Sequence, residues 1–359
     1  MIFASDNWSG ASDKVMAALA EAARLGGRAY GGDDLTRSLT DRFSALFERE
    51  VAVFVVGTGT AANMLSLASN ARPGGLALCH RTAHINSDEA AAAESVARLK
   101  LIAIDGADGR YDADALAATL ARYPAGAVHT GQPVLASVSE VSELGTAYSV
   151  AEIAAIAAVA KSRGLAMHMD GARFAGAVAS LGVSPADLTW RAGIDVLSFG
   201  GSKNGCVAAE AVVFFDPAGA GARDFAYARQ RVGHGFSKAW FIAAQFHAYL
   251  DDGHWLDLAR HANAMGARLA AAIRQSAVAR LAVEPDANEL FAILPKDVEA
   301  RLRAAGAMFH PWPAESLPAA VRPGADEVLV RLVTSFQTTT EQVDAFAAYL
   351  GAAAASGPQ

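Results

Sequence analysis

The sequence predicts an α/β protein, in which a mostly parallel seven-stranded sheet carries helices on both faces and a smaller C-terminal α+β domain follows. Three observations predict this class. Short apolar runs alternate with longer helical patterns up to about residue 236. Most of these runs are continuously apolar, which is typical of parallel strands covered on both faces. Beyond residue 236, a long helical pattern precedes short strands and further helices, which indicates a second domain.

Seven apolar runs are predicted as strands, at 51–56, 76–80, 99–104, 126–130, 165–170, 195–200 and 211–215. Helical periodicity fills the segments between them, most clearly at 150–163. There Ser149 and Glu152 have the spacing of a capping box, and Gly164 ends the helix. Such alternation predicts βαβ units, so a ligand is expected at the carboxyl ends of the strands.

The predicted organisation has three parts: an N-terminal segment at 1–13, a large domain at 14–240 and a small C-terminal domain at 241–359. The large domain contains every predicted strand of the main sheet. The small domain begins within the long helical pattern that runs to about residue 276.

Composition excludes several classes of protein. The 359 residues carry a net charge of −7, and no Lys/Arg-rich run indicates a nucleic-acid partner. No segment reaches the roughly 20 consecutive apolar residues of a membrane span, and no secretory signal is visible at the N-terminus. Cys79 and Cys206 lie far apart, so neither a disulfide framework nor a metal site is predicted. We expect a cytoplasmic enzyme.

The stretch "GTGTAAN" at 57–63 follows the first predicted strand and leads into a helix. Gly57, Gly59 and Ala62 fit a dinucleotide-binding fingerprint, but equally a turn whose N–H groups face an anion at a helix N-terminus. The fingerprint needs an acidic residue about 20 positions later, where the chain reads "CHRT" instead. A phosphate cradle is therefore favoured, with a simple tight turn as the alternative.

Two charged residues follow buried strands further along the chain. Asp170 closes the run 165–170, and Lys203 follows the run 195–200 with no acidic residue between Asp195 and Glu210. Asp170 could pair with Arg173 or cap a helix. Alternatively, because adjacent parallel strands end at one edge, Asp170 and Lys203 would meet on one ligand. Partial burial would make such a lysine a nucleophile.

These residues together suit one cofactor. Pyridoxal phosphate needs a lysine for its imine, a carboxylate at its ring nitrogen and an anion site for its phosphate. A phosphate cradle, Asp170 and Lys203 occur in this order at three predicted strand ends. The pattern therefore predicts a pyridoxal-phosphate enzyme.

At this level of detail the sequence resembles the fold-type I pyridoxal-phosphate enzymes, and within them the low-specificity L-threonine aldolases. The resemblance spans nearly the whole chain and rests on "SDN" (5–7), "YGGDDLT" (30–36), "GTGTAAN" (57–63), "HIN" (84–86), "HMDGARF" (168–174), "SFGGSKNG" (198–205) and "RLVTSF" (331–336). It implies the fold-type I architecture and cleavage of L-threonine or L-allo-threonine to glycine and an aldehyde.

The resemblance implies roles for the cofactor-binding residues. Lys203 would form the internal imine with pyridoxal 5′-phosphate, and Asp170 would bind the pyridine nitrogen. Gly57 and Thr58 would hold the phosphate, while His84 would stack on the ring.

Further roles concern the substrate and a neighbouring subunit. Ser5, Arg173 and Arg331 match positions that bind the substrate carboxylate, and Arg173 also belongs to the implied cofactor site. The residues alone also favour an anion-binding role for Arg331, since an arginine within an apolar strand is expected to face an anion or a cleft. The alternative is an edge-strand arginine whose side chain extends to solvent. Arg229 and Arg231 match a segment that reaches the cofactor phosphate of a neighbouring subunit. A homo-oligomer is therefore expected, and the resemblance implies a homotetramer.

One departure concerns the base that accepts the β-hydroxyl proton. Many relatives carry "ENTHN" after the fourth strand, where this chain reads "SEVSELG" at 139–145 with Glu143 near the histidine position. His84, His129 or an ordered water are the candidates for the base. Three other functions stay open: a phenylserine-type aldolase or another fold-type I lyase, a nicotinamide oxidoreductase, and a non-catalytic binding protein.

Overall fold

The computed structural model describes residues 1–355 and contains two sheets. The larger has the order β1-β7-β6-β5-β4-β2-β3 and the smaller has the order β10-β11-β9-β8. The strands are β1 (Ala52–Val56), β2 (Gly75–His80), β3 (Lys100–Ile104), β4 (Gln132–Ser139), β5 (Ala166–Gly171), β6 (Val196–Gly200), β7 (Glu210–Phe214), β8 (Arg280–Val283), β9 (Glu289–Pro295), β10 (His310–Pro311) and β11 (Glu327–Val333).

Helices surround both sheets. They are α1 (Asp13–Leu25), α2 (Asp34–Leu46), α3 (Gly59–Ala68), α4 (His84–Ser87), α5 (Ala92–Ser95), α6 (Ala113–Ala121), α7 (Val150–Ser162), α8 (Phe174–Leu181), α9 (Pro185–Leu188), α10 (Ala220–Arg231), α11 (Trp240–Leu250), α12 (His254–Gln275), α13 (Lys296–Ala304) and α14 (Thr340–Ala355). No helix within residues 1–355 has both the length and the apolar content needed to cross a membrane.

The large sheet confirms the predicted fold class. Strands β3, β2, β4, β5 and β6 are parallel neighbours, and β7 is antiparallel to both β6 and β1. The capping box predicted for α7 is present, with the Ser149 side chain accepting from the Glu152 N–H. The carboxyl ends of β1, β2, β4, β5 and β6 therefore lie at one edge of the sheet.

The fourth strand was predicted at the wrong place. Residues 126–130 form exposed turns, with Val128 90% exposed, and the strand begins only at Gln132. Pro133 disfavours a central strand because it cannot donate a ladder hydrogen bond. The structure accommodates it with a register shift between Leu76 and Ala77 of β2, which leaves Val134 unpaired as a bulge.

The small sheet packs with α12, α13 and α14 around its own core, and the N-terminal segment joins this unit. The Phe3 N–H donates to the Met308 carbonyl at 2.8 Å, and the Phe3 carbonyl accepts from the Val333 N–H at 2.9 Å. The Phe3 side chain lies in the small-domain core. Helix α11, which the sequence assigned to the small domain, packs instead against α1, α2 and the larger core. Residues 4–9 therefore pass between the two units.

Candidate active site

A cavity of about 320 Å³ opens at the carboxyl edge of the large sheet. Its wall is formed by the segments that follow β1, β2, β4, β5 and β6. Of the residues predicted to hold a cofactor, five line it: Gly57, Thr58, His84, Asp170 and Lys203. Residues from distant parts of the sequence thus meet because their strands end at one edge.

The amine of Lys203 is presented by a rigid loop. The lysine lies in a 3₁₀ turn, Ser202–Asn204, directly after β6. The Glu210 carboxylate accepts the N–H groups of Gly201 and Ser202, at 3.2 and 3.4 Å. The Asn204 side chain donates to the Tyr249 hydroxyl at 2.7 Å. Within residues 1–355, the Lys203 amine itself forms no hydrogen bond and no ion pair, so it is available to a ligand.

Asp170 is connected to His84 through two buried side chains. The Asn63 amide donates 2.8 Å hydrogen bonds to both the Asp170 and the Glu89 carboxylates. The other Asp170 oxygen accepts the Ala172 N–H at 3.0 Å. Nδ1 of His84 lies 2.8 Å from Glu89 Oε1. Neither Asn63 nor Glu89 was singled out from the sequence, although "GTGTAAN" contains the former.

The protonation of this group follows from these contacts. The hydrogen bond to Glu89 raises the pKa of His84, against the opposing effect of burial. Burial raises the pKa of Glu89, and its hydrogen bond to His84 opposes that shift. Both pKa values are therefore shifted towards the protonated form, and one hydrogen bond joins the two side chains.

The N-terminus of α3 forms an anion cradle. Thr58 caps the helix, because its side chain accepts the Ala61 N–H at 3.1 Å. The N–H groups of Gly59 and Thr60 find no acceptor within residues 1–355, and both residues line the cavity. A Cβ on Gly57 would lie 2.9 Å from Cζ of Phe236, so a side chain at this position would displace the end of that ring. Unpaired helix N–H groups and the α3 dipole suit a phosphate.

Arg173 does not face the main cavity. Its Nε and Nη2 atoms donate to the Asp6 carboxylate at 2.7 and 3.2 Å. Its Nη1 atom lies 2.8 Å from Glu289 Oε2. The guanidinium thus bridges two buried carboxylates beside a small cavity of about 20 Å³, which Lys203 also lines. Asp6 and Glu289 balance the charge of Arg173, and its contact with a cofactor and a substrate carboxylate stays a prediction.

Arg331 has fewer hydrogen-bond partners than Arg173 within residues 1–355, so more of its donors remain for a ligand. It lies on β11 with its guanidinium over the Trp312 ring at 4.7 Å. Its Nη2 donates to the Ala4 carbonyl at 3.2 Å, Nη1 is 3.6 Å from Glu289, and Nε has no partner. Ser5 follows Ala4, and its hydroxyl accepts the Asn7 N–H at 3.1 Å. Ser5 is thus next in sequence to the residue that Arg331 contacts, and Asn7 reaches the cavity wall.

Arg229 and Arg231 lie at the end of α10. Arg229 is half-buried, donates to the Val55 carbonyl at 3.1 Å and lies 5.8 Å from the Phe54 ring centre. Burial lowers its pKa. Arg231 is exposed. After them the chain returns to the cradle, where the Gly57 N–H donates to His234 Nδ1 at 3.4 Å. Arg229 is thus held to β1 of its own chain.

His129 does not join the other residues. It is exposed in the turn before β4, at the amino edge of the sheet, whereas the cavity lies at the carboxyl edge. The sequence suggested it as a base because the fourth strand was placed too early, at 126–130. With β4 at Gln132–Ser139, the residues at its carboxyl end are 140–145 instead.

Two glutamates of the cavity complete the site. Glu143 follows β4, and Glu210 begins β7. Burial raises the pKa of Glu210 to about 7, against its hydrogen bonds and the charge of Lys203. Burial and the charge of Glu289 raise the pKa of Glu143 to about 7, opposed by Lys203, Arg173 and His84. A nucleophilic amine, a buried carboxylate, an anion cradle and carboxyl groups that can accept a proton therefore share one cavity.

Comparisons with known proteins agree with this chemistry. A family model described as beta-eliminating lyase matches residues 3–296. The chain is 39% identical over 315 residues to the low specificity L-threonine aldolase of Pseudomonas aeruginosa, covering 87% of this chain and 90% of the relative. The aldolase of the same name from a Pseudomonas sp. strain is 37% identical, covering 86% and 88%. A Leishmania major threonine aldolase structure superposes with a TM-score of 0.90 at 25% identity, over 98% and 99% of the two chains.

Proposed function

The chain belongs to the beta-eliminating lyase family, alongside the low specificity L-threonine aldolases, and we propose that it cleaves L-threonine and L-allo-threonine to glycine and acetaldehyde. It is a pyridoxal-phosphate-dependent lyase. One observation of the site carries the proposal: the Lys203 amine and the Asp170 carboxylate line the same cavity as the α3 cradle. Related β-hydroxy-α-amino acids would be cleaved by the same route.

The residues of the cavity fit pyridoxal phosphate. Lys203 would carry its aldehyde carbon, since its amine has no competing partner. Asp170 would meet the ring nitrogen and keep it protonated, because a carboxylate stabilises an adjacent positive charge. The Asn63 amide fixes the direction of that carboxylate. When bound, the cofactor supplies an electron sink for the negative charge that develops at Cα.

The phosphate and the ring face have their own contacts. The N–H groups at the start of α3, with the Thr58 hydroxyl, would receive the phosphate, and Gly57 keeps the approach open. His84 would cover one face of the ring. Its orientation is held by Glu89 at 2.8 Å, so the imidazole is fixed before a ligand binds.

The substrate carboxylate needs a cation that is not already neutralised. We assign this role to Arg331, with Ser5 beside it, because the Arg331 Nε has no partner. Arg173 would act through Asp6 and Glu289, by holding the N-terminal segment against the end of β5. A fixed carboxylate sets which bond of Cα is broken, so Arg331 would favour cleavage of Cα–Cβ over other reactions.

We further propose that the enzyme is a homo-oligomer, and a homotetramer as in the resemblance described above, in the cytoplasm. Tyr227 is 73% exposed and Arg231 is also exposed on α10, and Phe236, five residues after Arg231, lies against Gly57 of the cradle. These features support a subunit contact at α10. The cytoplasmic assignment rests on composition alone.

Product analysis tests the function. Purified protein supplied with pyridoxal phosphate should convert L-threonine, L-allo-threonine and L-phenylserine to glycine and the matching aldehyde in equal amounts. Ammonia and a keto acid in place of glycine would identify a β-eliminating lyase and overturn the proposal. Relative rates on the three substrates would define the aldehyde preference and separate a phenylserine-type aldolase.

A further inference from the structure

Among the described residues 1–355, four carboxylates line the main cavity, and only one of them receives no hydrogen bond from a donor. Asp170 accepts from Asn63 and Ala172, Glu89 accepts from Asn63 and His84, and Glu210 accepts from two backbone N–H groups. Within residues 1–355, no hydrogen bond or ion pair joins the Glu143 carboxylate to another group. Its oxygens therefore remain available to a ligand in the cavity.

The loop that carries Glu143 is rigid. The Ser142 hydroxyl accepts the N–H groups of Leu144 and Thr146, at 3.3 and 3.2 Å. The Thr146 hydroxyl donates to the Asp108 carbonyl at 2.6 Å. The loop also packs directly on β9, because a Cβ on Gly145 would lie 2.1 Å from the Glu289 carbonyl oxygen. The backbone that carries Glu143 is thus held in place before substrate binds, which keeps the side chain at the cavity.

The charges facing Glu143 come from several elements. Glu289 of β9 disfavours its ionised form, while Lys203, Arg173 and His84 favour it. The result is a pKa of about 7, where a carboxylate both accepts and returns a proton near neutral pH. The side chain is partly exposed to the cavity, so substrate can reach it.

The competing candidates are less suitable. Nδ1 of His84 is bound by Glu89, and this hydrogen bond raises the pKa of His84. His129 lies at the opposite edge of the sheet. Glu210 is occupied by the loop that presents Lys203. Glu143 is therefore the cavity group best placed and best prepared to accept a proton from substrate.

We propose that Glu143 is the catalytic base that removes the proton of the substrate β-hydroxyl, an inference that rests on the proposed aldolase function. As that proton moves to the carboxylate, the Cα–Cβ bond breaks and the hydroxyl oxygen becomes the carbonyl oxygen of the leaving aldehyde. The electron pair of the broken bond remains with Cα. A proton delivered to Cα gives glycine, so the reaction consumes and releases equal numbers of protons.

The test separates this step from the rest of the chemistry. Glu143→Gln removes the base, whereas exchange of the glycine α-proton with solvent deuterium involves no β-hydroxyl. We expect Glu143→Gln to lower kcat for L-threonine by about 10²- to 10⁴-fold, with exchange changed by less than about threefold. Glu143→Asp, which keeps a carboxylate, should retain part of the cleavage. The affinity of the protein for pyridoxal phosphate and the absorbance spectrum of the bound cofactor should be unchanged.

The matched control is Glu140→Gln on the same segment. Glu140 is buried and does not line the cavity, burial raises its pKa, and it accepts the Tyr148 N–H at 2.7 Å, which a glutamine oxygen would also accept. This variant should cleave L-threonine like the wild type.

Each outcome either supports or overturns the proposed role of Glu143. An acid limb in the wild-type kcat profile that disappears in Glu143→Gln supports the proposal. Wild-type cleavage rates in Glu143→Gln would overturn it. Equal losses of cleavage and exchange with an altered spectrum would also overturn it, because they indicate a structural role. A wild-type protein that releases no glycine from L-threonine would instead refute the aldolase function, and the inference with it.

Discussion

Arg173 and Asp6 form a buried bidentate ion pair across 167 positions of sequence, with Nε–Oδ2 and Nη2–Oδ1 distances of 2.7 and 3.2 Å. Their side chains are 7% and 2% exposed. The charge of Arg173 lowers the pKa of Asp6 although burial opposes this. The pair fastens the N-terminal segment, which is part of the small-domain core through Phe3, to the end of β5 on the large sheet.

Replacement of Asp6 by Asn should therefore destabilise the protein. It leaves the Arg173 guanidinium with one carboxylate instead of two, and loss of one partner from a buried ion pair costs about 3–5 kcal/mol. Urea denaturation at pH 7 measures the change in the free energy of unfolding. Asp105→Asn, which breaks the exposed Arg81–Asp105 pair, is the control and should cost less than about 1 kcal/mol. Equal losses in the free energy of unfolding for the two substitutions would show that the buried pair contributes no more to stability than the exposed pair.

Lys203→Ala should separate binding of the cofactor from its covalent attachment. The variant keeps Asp170 and the α3 cradle, so pyridoxal phosphate should still bind, but borohydride should no longer fix it to the chain. Turnover of L-threonine should be abolished. Mass spectrometry after reduction measures the attachment, and Lys100→Ala, at an exposed position on β3, serves as the control. A Lys203→Ala protein that retained covalent cofactor would place the linkage elsewhere.

Continuous apolar runs predicted most of the large sheet, because parallel strands buried on both faces leave a clear local pattern. The sequence predicted Asp170 at the end of one strand and Lys203 just after the next. In the structure these two strands, β5 and β6, are paired neighbours. The fourth strand was missed because Pro133 and a bulge interrupt its pattern, and this error also suggested His129 as a base. The apolar pattern of β4 alone cannot predict this strand, because the register shift that accommodates Pro133 lies in its pairing with β2.

The partners of the charged residues could not be predicted from the sequence. The "HMDGARF" motif left an ion pair between Asp170 and Arg173 as one alternative, whereas Arg173 binds Asp6 of the N-terminal segment and Glu289 of β9. Asn63 meets Asp170 and Glu89 because α3, β5 and the segment after α4 converge within the large domain. The first contact depends on how the two domains pack and the second on how distant segments of one domain meet, and sequence periodicity reports neither.

Gly145 should be far less tolerant of alanine than Gly164. Both have left-handed backbones, with φ of +79° and +70°. A Cβ at Gly145 would lie 2.1 Å from the Glu289 carbonyl oxygen, whereas nothing lies within 4 Å of one at Gly164. Gly164→Ala should cost about 1–2 kcal/mol for the backbone alone, and Gly145→Ala more than about 3 kcal/mol. Urea denaturation measures both, and equal costs would mean that the loop does not pack this closely on β9.

Glu210 should make stability depend on pH in the direction opposite to that of an ordinary carboxylate. Its pKa is raised by burial from 4.5 to about 7, so between these values the folded protein binds more protons than the unfolded chain. Stability is therefore lost as pH rises from about 4.5 to 7. Glu210→Gln removes this loss while an amide oxygen can still accept the Gly201 N–H. The cofactor-free variant should exceed the wild type by up to about 3 kcal/mol at pH 8, with no difference near pH 4.5.

Glu327 provides the control with the opposite sign. Its hydrogen bond with Arg280 lowers the pKa of Glu327 to about 2, so its stabilisation is present above about pH 4.5 and is lost as pH falls through 2. Glu327→Gln should therefore lower stability at pH 8, where Glu210→Gln raises it. Urea denaturation of both variants at pH 4.5, 6 and 8 measures this contrast. A Glu210→Gln protein that is less stable than the wild type at pH 8 would mean that the folded protein favours the ionised carboxylate, and therefore that the pKa of Glu210 is not raised.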